Sequence, residues 1–289
     1  MRRYAFKQVD VFTARPFMGN PVAVVLGAED MDPSEMQRIA AWTNLSETTF
    51  VLPPTSRAAD YRLRIFTPVQ ELAFAGHPTI GSAHAVLESG GVDPAASRFA
   101  QECAAGVLPL SVEGHGAQRR IFVQVPEHKI RPADSALQQQ AGAVLDSAIV
   151  AAPLLIDVGP VWIVADLGTA AAVEALHPDA ASIAKLSRAL GAVGITVFGR
   201  NSGDGPALRV RSFAPAQGVF EDPVCGSGNA CVAAFLMESN MLDSVGNPYS
   251  VSQGTELGRD GRVYVRVGQD RRIEIGGPAV TCVDGYLSV

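Results

Sequence analysis

Gly228-Asn-Ala-Cys-Val-Ala-Ala-Phe-Leu-Met-Glu-Ser239 is small or apolar on nearly every side after Asn229. A helix that is hydrophobic all round has no face to offer water and belongs in an interior. The chain around it reads mostly as short strands, among them Tyr4 to Phe12, Val22 to Leu26, Thr48 to Leu52 and Tyr61 to Phe66, bounded by Gly, Pro, Asn or Asp. A buried helix among strands predicts a helix wrapped by sheet. Two further helices are expected, Pro33 to Trp42 with apolar Met36, Ile39 and Ala40, and one amphipathic stretch from Ala170 to Leu190.

A second helix, Pro78-Thr-Ile-Gly-Ser-Ala-His-Ala-Val-Leu-Glu88, stands in a matching context. Arg64-Ile-Phe-Thr-Pro68 precedes one and Arg211-Ser-Phe-Ala-Pro215 the other, with Arg, Phe and Pro in register. A glycine-led start follows each, Ala75-Gly-His-Pro78 and Cys225-Gly-Ser-Gly228, and a strand-like pattern follows each helix, Arg98 to Val112 and Tyr249 to Val267. Three blocks in one order, about 150 residues apart, read as an internal duplication. The expected domains are residues 1–127 and 128–289, the last residues being free to return to the first, with a polar connector between Pro126 and Ala141.

The 289 residues are 47% hydrophobic and 18% charged, enough for a substantial core. A net charge of -6 and a pI near 5.4 argue against nucleic acid or an anionic membrane as partner. No apolar run follows the two N-terminal arginines, so no signal peptide is read. The longest apolar stretch, Ala148 to Leu167, is interrupted by Pro153, Asp157 and Pro160, which favours strands over a membrane span. Four cysteines do not make a disulfide framework, and a cytoplasmic location is the expectation.

Helix N-termini present backbone N–H groups and the positive end of a dipole to anions. The two starts use Gly76 and His77, and Gly226, Ser227 and Gly228; the glycines and the serine are small enough to let a ligand approach the backbone. If the duplicated halves face each other, both starts point into one cleft, where they hold a carboxylate and stabilise enolate-like charge. Ordinary capping explains either start taken alone. Glu47, in Asn44-Leu-Ser-Glu-Thr-Thr-Phe-Val51, leaves a turn to enter a strand; it reads either as a half-buried acid–base or as a solvated turn residue. His77 reads as a proton carrier or a cap, and Asp222, in Phe220-Glu-Asp-Pro-Val-Cys225, as a ligand-facing group or a turn-former. No phosphate-loop spacing surrounds residues 226–228. His77 and His84 lack a third ligand, so no metal is expected. Cys103 and Cys282 read as small core residues and Cys231 as part of the buried helix.

Several blocks together resemble the PhzF-like family, named for a phenazine-biosynthesis isomerase, within the diaminopimelate epimerase-like fold. They are Val9-Asp-Val-Phe-Thr13, Phe17-Met-Gly-Asn-Pro-Val-Ala-Val24, Asn44-Leu-Ser-Glu-Thr48, Phe66-Thr-Pro68, Glu71-Leu-Ala-Phe-Ala-Gly-His-Pro-Thr79, Phe213-Ala-Pro215, Glu221-Asp-Pro-Val-Cys-Gly-Ser-Gly228, Ser252-Gln-Gly254 and Gly258-Arg259. The resemblance implies an α+β fold of two similar domains, each a β-barrel around a central helix, with the active site between them. It implies a cofactor-independent isomerase, commonly a homodimer, in which one glutamate, here Glu47, takes a proton from one carbon and returns one to another. It places His77, Asp222 and Ser227, with backbone around Gly76, Gly226 and Gly228, against the substrate. The family reaction isomerises a dihydro-hydroxyanthranilate; for this chain the expectation is a small carboxylate-bearing metabolite. One alternative is a two-base cysteine epimerase or racemase, similar at Cys225-Gly-Ser-Gly228, but the repeat puts the second thiol's position at Ala75. Another is a catalytically silent binding member of the fold. Ala73 and Asn229 depart from the family pattern, and both are expected near the cleft.

Overall fold

Strand pairing decides which apolar runs become neighbours, and here the same pairing scheme is used twice. A computed structural model of the chain describes residues 1–133 and 136–289; residues 134 and 135, in the expected connector, lie outside the described residues. The described chain divides into a first unit, Met1–Gln124 with Gly276–Val289, and a second, Val125–Ile275.

In the first unit β1 (Arg3–Val11) and β2 (Asn20–Leu26) pair antiparallel. Helix α1 (Pro33–Thr43) crosses to β3 (Thr48–Leu52), parallel to β2, and β4 (Tyr61–Phe66) returns antiparallel, with β5 (Glu71–Leu72) folded onto it. Helix α2 (Gly76–Glu88) then crosses to β6 (Arg98–Cys103), parallel to β4, and β7 (Gly106–Glu113) and β8 (Arg120–Gln124) continue as a meander. Each parallel step needs a crossover, and a helix supplies it.

The second unit repeats the scheme. After β9 (Lys129–Arg131) and α3 (Leu137–Leu145), β10 (Leu154–Asp157) pairs antiparallel with β11 (Val161–Thr169). Helices α4 (Ala170–Glu174) and α5 (Ala180–Ala189) cross to β12 (Gly194–Arg200), parallel to β11; β13 (Leu208–Ala214) returns antiparallel and β14 (Val219–Asp222) folds back on it. Helix α6 (Gly226–Glu238) and the short α7 (Leu242–Val245) cross to β15 (Tyr249–Gln253), parallel to β13, and β16 (Gly261–Val267) follows antiparallel. The order of parallel and antiparallel steps from β10 to β16 is that from β1 to β7. The expected duplication and α+β class are borne out. Strand β17 (Ile273–Gly277) carries the chain back, and β18 (Ala279–Ser288) pairs antiparallel with β1.

Both central helices are wrapped by sheet, as the composition of α6 predicts. From Gly76 to Leu87 every residue of α2 is buried, against β1, β2, β3, β4, β8 and β18. Helix α6 is buried throughout apart from Ser227 and Glu238, against β10, β11, β12 and β16. The outer helices pack a single face. Asp32 and Glu35 form a capping box for α1, and Met36, Ile39 and Ala40 meet Tyr4, Val25, Phe50 and Phe66.

The connector contains strand β9, which pairs with β10. Two expectations need correction. Ala170 to Leu190 is not one helix: α4 stops at Glu174, and Pro178 with the Asp179 cap begins α5, because proline cannot continue a preceding helix. Cys282 is half-buried on β18, whereas Cys103 is buried as expected.

Candidate active site

Helix α1 ends with Asn44 in the left-handed conformation, and four residues later β3 begins. Glu47 therefore sits where the chain turns into a buried strand, its carbonyl accepting from the Ala23 N–H of β2. Thr48 bonds Thr43 at 2.6 Å, and Thr49 bonds Ser82 of α2 at 2.8 Å, so the strand entrance is tied to both helices. The Glu47 side chain is 15% exposed, and its Oε2 lies 3.3 Å from Nε2 of buried His77, without hydrogen-bond alignment. Burial lifts the Glu47 carboxyl from 4.5 to about 7, against a smaller downward pull from a hydrogen bond with Ser46. A carboxyl that titrates near neutrality can both take and return a proton. His77 is the second residue of α2, whose N-cap, Ala75, has no side-chain cap and whose third residue, Pro78, has no N–H.

The second unit organises its helix start differently. Cys225 caps α6, its Sγ accepting from the Gly228 N–H at 3.2 Å. Gly228 has little room for a side chain: a Cβ would lie 2.6 Å from Ser212 Oγ and 2.7 Å from Thr196 Oγ1. Its N–H is engaged by Cys225 Sγ, and the N–H groups that precede it in this helix start are those of Gly226 and Ser227. Asp222 ends β14, and its Oδ1 accepts from the Val224 N–H at 3.1 Å. Burial, and then the Asp222 charge, push the Cys225 thiol well above its usual range. Cys225 is therefore a neutral thiol at physiological pH.

Glu47 and His77 thus form one group, in the first unit; Asp222, Gly226, Ser227 and Gly228 form another, in the second. Two contributors were given no role by the sequence, Gln253, although it lies in the quoted Ser252-Gln-Gly254 block, and Trp162. Gln253 Oε1 accepts from the Cys225 N–H at 3.2 Å and from Asn229 Nδ2 at 2.8 Å, while its Nε2 donates to the Asp222 carbonyl at 3.1 Å. It fastens the turn and the first helical residues at three points. Trp162 donates from Nε1 to Ser227 Oγ at 3.0 Å. Polar residues on separated strands carry no local signature of partnership. Asn229 is buried and also donates to the Cys225 carbonyl at 2.8 Å, which makes it a brace of the helix start, not part of an open rim. Ala73 is exposed. Among the described residues no cluster of three or more His, Cys, Asp or Glu is placed to hold a metal ion, and no helix is long and apolar enough to cross a membrane.

A duplicated sheet with a wrapped helix in each half defines an epimerase-like fold. A profile of the PhzC-PhzF family, described as phenazine biosynthesis-like protein, matches residues 9–285. The chain is 43% identical to antisense-enhancing sequence 1 of Schizosaccharomyces pombe, over 99% of both chains. It is 34% identical to trans-2,3-dihydro-3-hydroxyanthranilate isomerase of Pseudomonas fluorescens, over 96% of this chain and 97% of the relative. A crystal structure of the PhzF-family phenazine biosynthesis protein of Bacillus anthracis superposes with a TM-score of 0.83 at 26% identity, covering all of both chains. The protein belongs to the PhzC-PhzF, phenazine biosynthesis-like family.

Proposed function

We propose that this protein is an isomerase that moves a proton on a small carboxylate-bearing metabolite, with Glu47 as its single acid and base. The observation that carries the reading is the buried Glu47 carboxyl, poised at about 7 beside His77. The name of the Pseudomonas relatives supports the reaction class. In the carboxylate form Glu47 takes a proton from one carbon of the substrate; as the acid it delivers a proton to another carbon of the same molecule. Atoms balance, and the enzyme returns to its starting state. The charge that develops on substrate meets His77 and the first N–H groups of α2, while Asp222, Ser227 and the Gly226 backbone bind the substrate's polar groups. A homodimer working in the cytoplasm without a nucleic-acid or membrane partner completes the proposal and rests on the family resemblance.

Two features weigh against a two-base cysteine mechanism. Cys225 is held as a neutral thiol, and Ala75 caps the equivalent helix. The test is deuterium incorporation from D2O into trans-2,3-dihydro-3-hydroxyanthranilate. Glu47→Gln is expected to lower exchange by about 10²–10⁴-fold with folding intact. Retained exchange in a folded Glu47→Gln protein would falsify the assignment. No exchange by the wild type with this compound or a panel of small carboxylates, alongside ligand-induced thermal shifts, points to the silent binding reading.

A further inference from the structure

Trp162 lies on β11, is 4% exposed, and pairs in register with Gly194 of β12. A side chain at Gly194 has no space: a Cβ would fall 2.0 Å from the Phe213 carbonyl oxygen and 2.8 Å from the Trp162 ring. The missing side chain leaves the indole its place, and the indole reaches Ser227 Oγ at 3.0 Å. Ser227 is half-buried and is the one residue of the first three turns of α6 that is not fully buried. A serine hydroxyl has two acceptor lone pairs and a single donor hydrogen. Indole N–H can only donate, so it occupies one lone pair and leaves the serine O–H to point elsewhere. The protein atom near that hydrogen is Cys225 Sγ at 3.6 Å, a weak acceptor that already receives the Gly228 N–H.

We infer that Trp162 is a positioning residue: by donating to Ser227 Oγ it makes the Ser227 hydroxyl a donor, so that this start of α6 selects a carboxylate oxygen of the substrate. Donating to Oγ polarises the serine O–H, which strengthens the hydrogen bond it gives to an anion. The Gly226 and Ser227 N–H groups point at the same end of the helix, so all the donors gathered there favour negative charge. The inference rests on the proposed carboxylate reading and deepens it, but it does not depend on Glu47.

The experiment is a double-mutant cycle read by calorimetric affinity for 3-hydroxyanthranilate and for its carboxamide. Trp162→Phe keeps an aromatic ring in the core but removes the N–H together with part of the indole's volume, so its thermal unfolding is recorded beside the wild type. The expected result is about tenfold weaker carboxylate binding in Trp162→Phe, a similar loss in Ser227→Ala, and little further loss when the two are combined. The preference for carboxylate over carboxamide should narrow in each. Unchanged affinity in Trp162→Phe, or the same loss in the presence and absence of the serine hydroxyl, overturns the inference, since a merely structural tryptophan acts independently of Ser227. Deuterium exchange in Glu47→Gln tests the proton-shift reading separately. If exchange survives there while the cycle is coupled, that reading fails and the role of Trp162 stands.

Discussion

At the entrance of β3 stands Glu47; at the matching entrance of β12 stands Gly194. The match follows from the ladders: Thr48 faces Phe66 and Ala23 in the first unit, and Ile195 faces Phe213 and Ile163 in the second. One residue earlier, the first unit has a buried carboxyl 3.3 Å from His77, the second residue of α2. The second unit has a glycine overlain by Trp162, which bonds Ser227, the second residue of α6. One backbone scheme thus supports a buried carboxyl beside a histidine in one copy and a hydrogen-bonded tryptophan–serine pair in the other. A duplicated scaffold need not duplicate its chemistry, because side-chain identity at one register position decides whether a titratable group exists there.

A second repeated pair differs by burial. Arg64 forms a two-pronged ion pair with Glu71, and Arg211 forms the equivalent pair with Glu221. The first is partly solvated, its side chains 22% and 38% exposed; the second is 6% and 2% exposed. Arg211 also donates to the Val173 and Leu176 carbonyls near the end of α4. Arg211→Met is expected to cost about 3–5 kcal/mol, because it strands a buried carboxylate, whereas Arg64→Met should cost at most about 1 kcal/mol. Urea unfolding of both variants checks this, and equal costs would dissolve the contrast.

The next effect concerns the buried Glu47 carboxyl. In the unfolded chain Glu47 titrates at its ordinary 4.5, and in the fold at about 7. As pH rises from 4.5 to 7 the unfolded state loses its proton first, so stability falls across that window and stays lost above it. The loss is on the order of 3 kcal/mol. Glu47→Gln removes it, so the variant should be more stable than wild type at pH 8 and comparable near pH 4. Parallel stability curves would show that the carboxyl is not perturbed. Gly194→Ala comes next in size: it should cost about 1–3 kcal/mol and weaken the Trp162–Ser227 bond, which near-ultraviolet dichroism of the indole would report. If Gly194→Ala folds with native stability, the glycine is not what admits the indole. The smallest effect is for Cys225→Ala, which loses a cap worth about 1 kcal/mol while most exchange activity remains. Abolished exchange there would revive thiol chemistry.

The primary sequence on its own determined that the chain is duplicated, because the Arg-x-Phe-x-Pro blocks and the glycine-led helices recur in order. It also determined that α6 is interior, because an all-apolar helix has nowhere else to go; that α2, with His77, Thr79, Ser82 and His84 on it, is equally buried was decided by the fold. It placed Glu47 at a turn-to-strand entrance but left it poised between acid–base and solvated turn residue. Only the tertiary structure decided that the carboxyl is buried against His77, because desolvation comes from atoms distant in sequence. Likewise the Gln253 clamp, the Trp162–Ser227 bond and the burial of Asn229 depend on strands meeting helices across long stretches of chain. The break before α5 carried a local signal in Pro178 that the reading of Ala170 to Leu190 as one helix passed over, whereas β9 within the polar connector carried none, since its partner β10 supplies the ladder that makes it a strand. Periodicity and repetition are written along the chain, while dielectric environment and hydrogen-bond partnership arise only when the chain closes on itself.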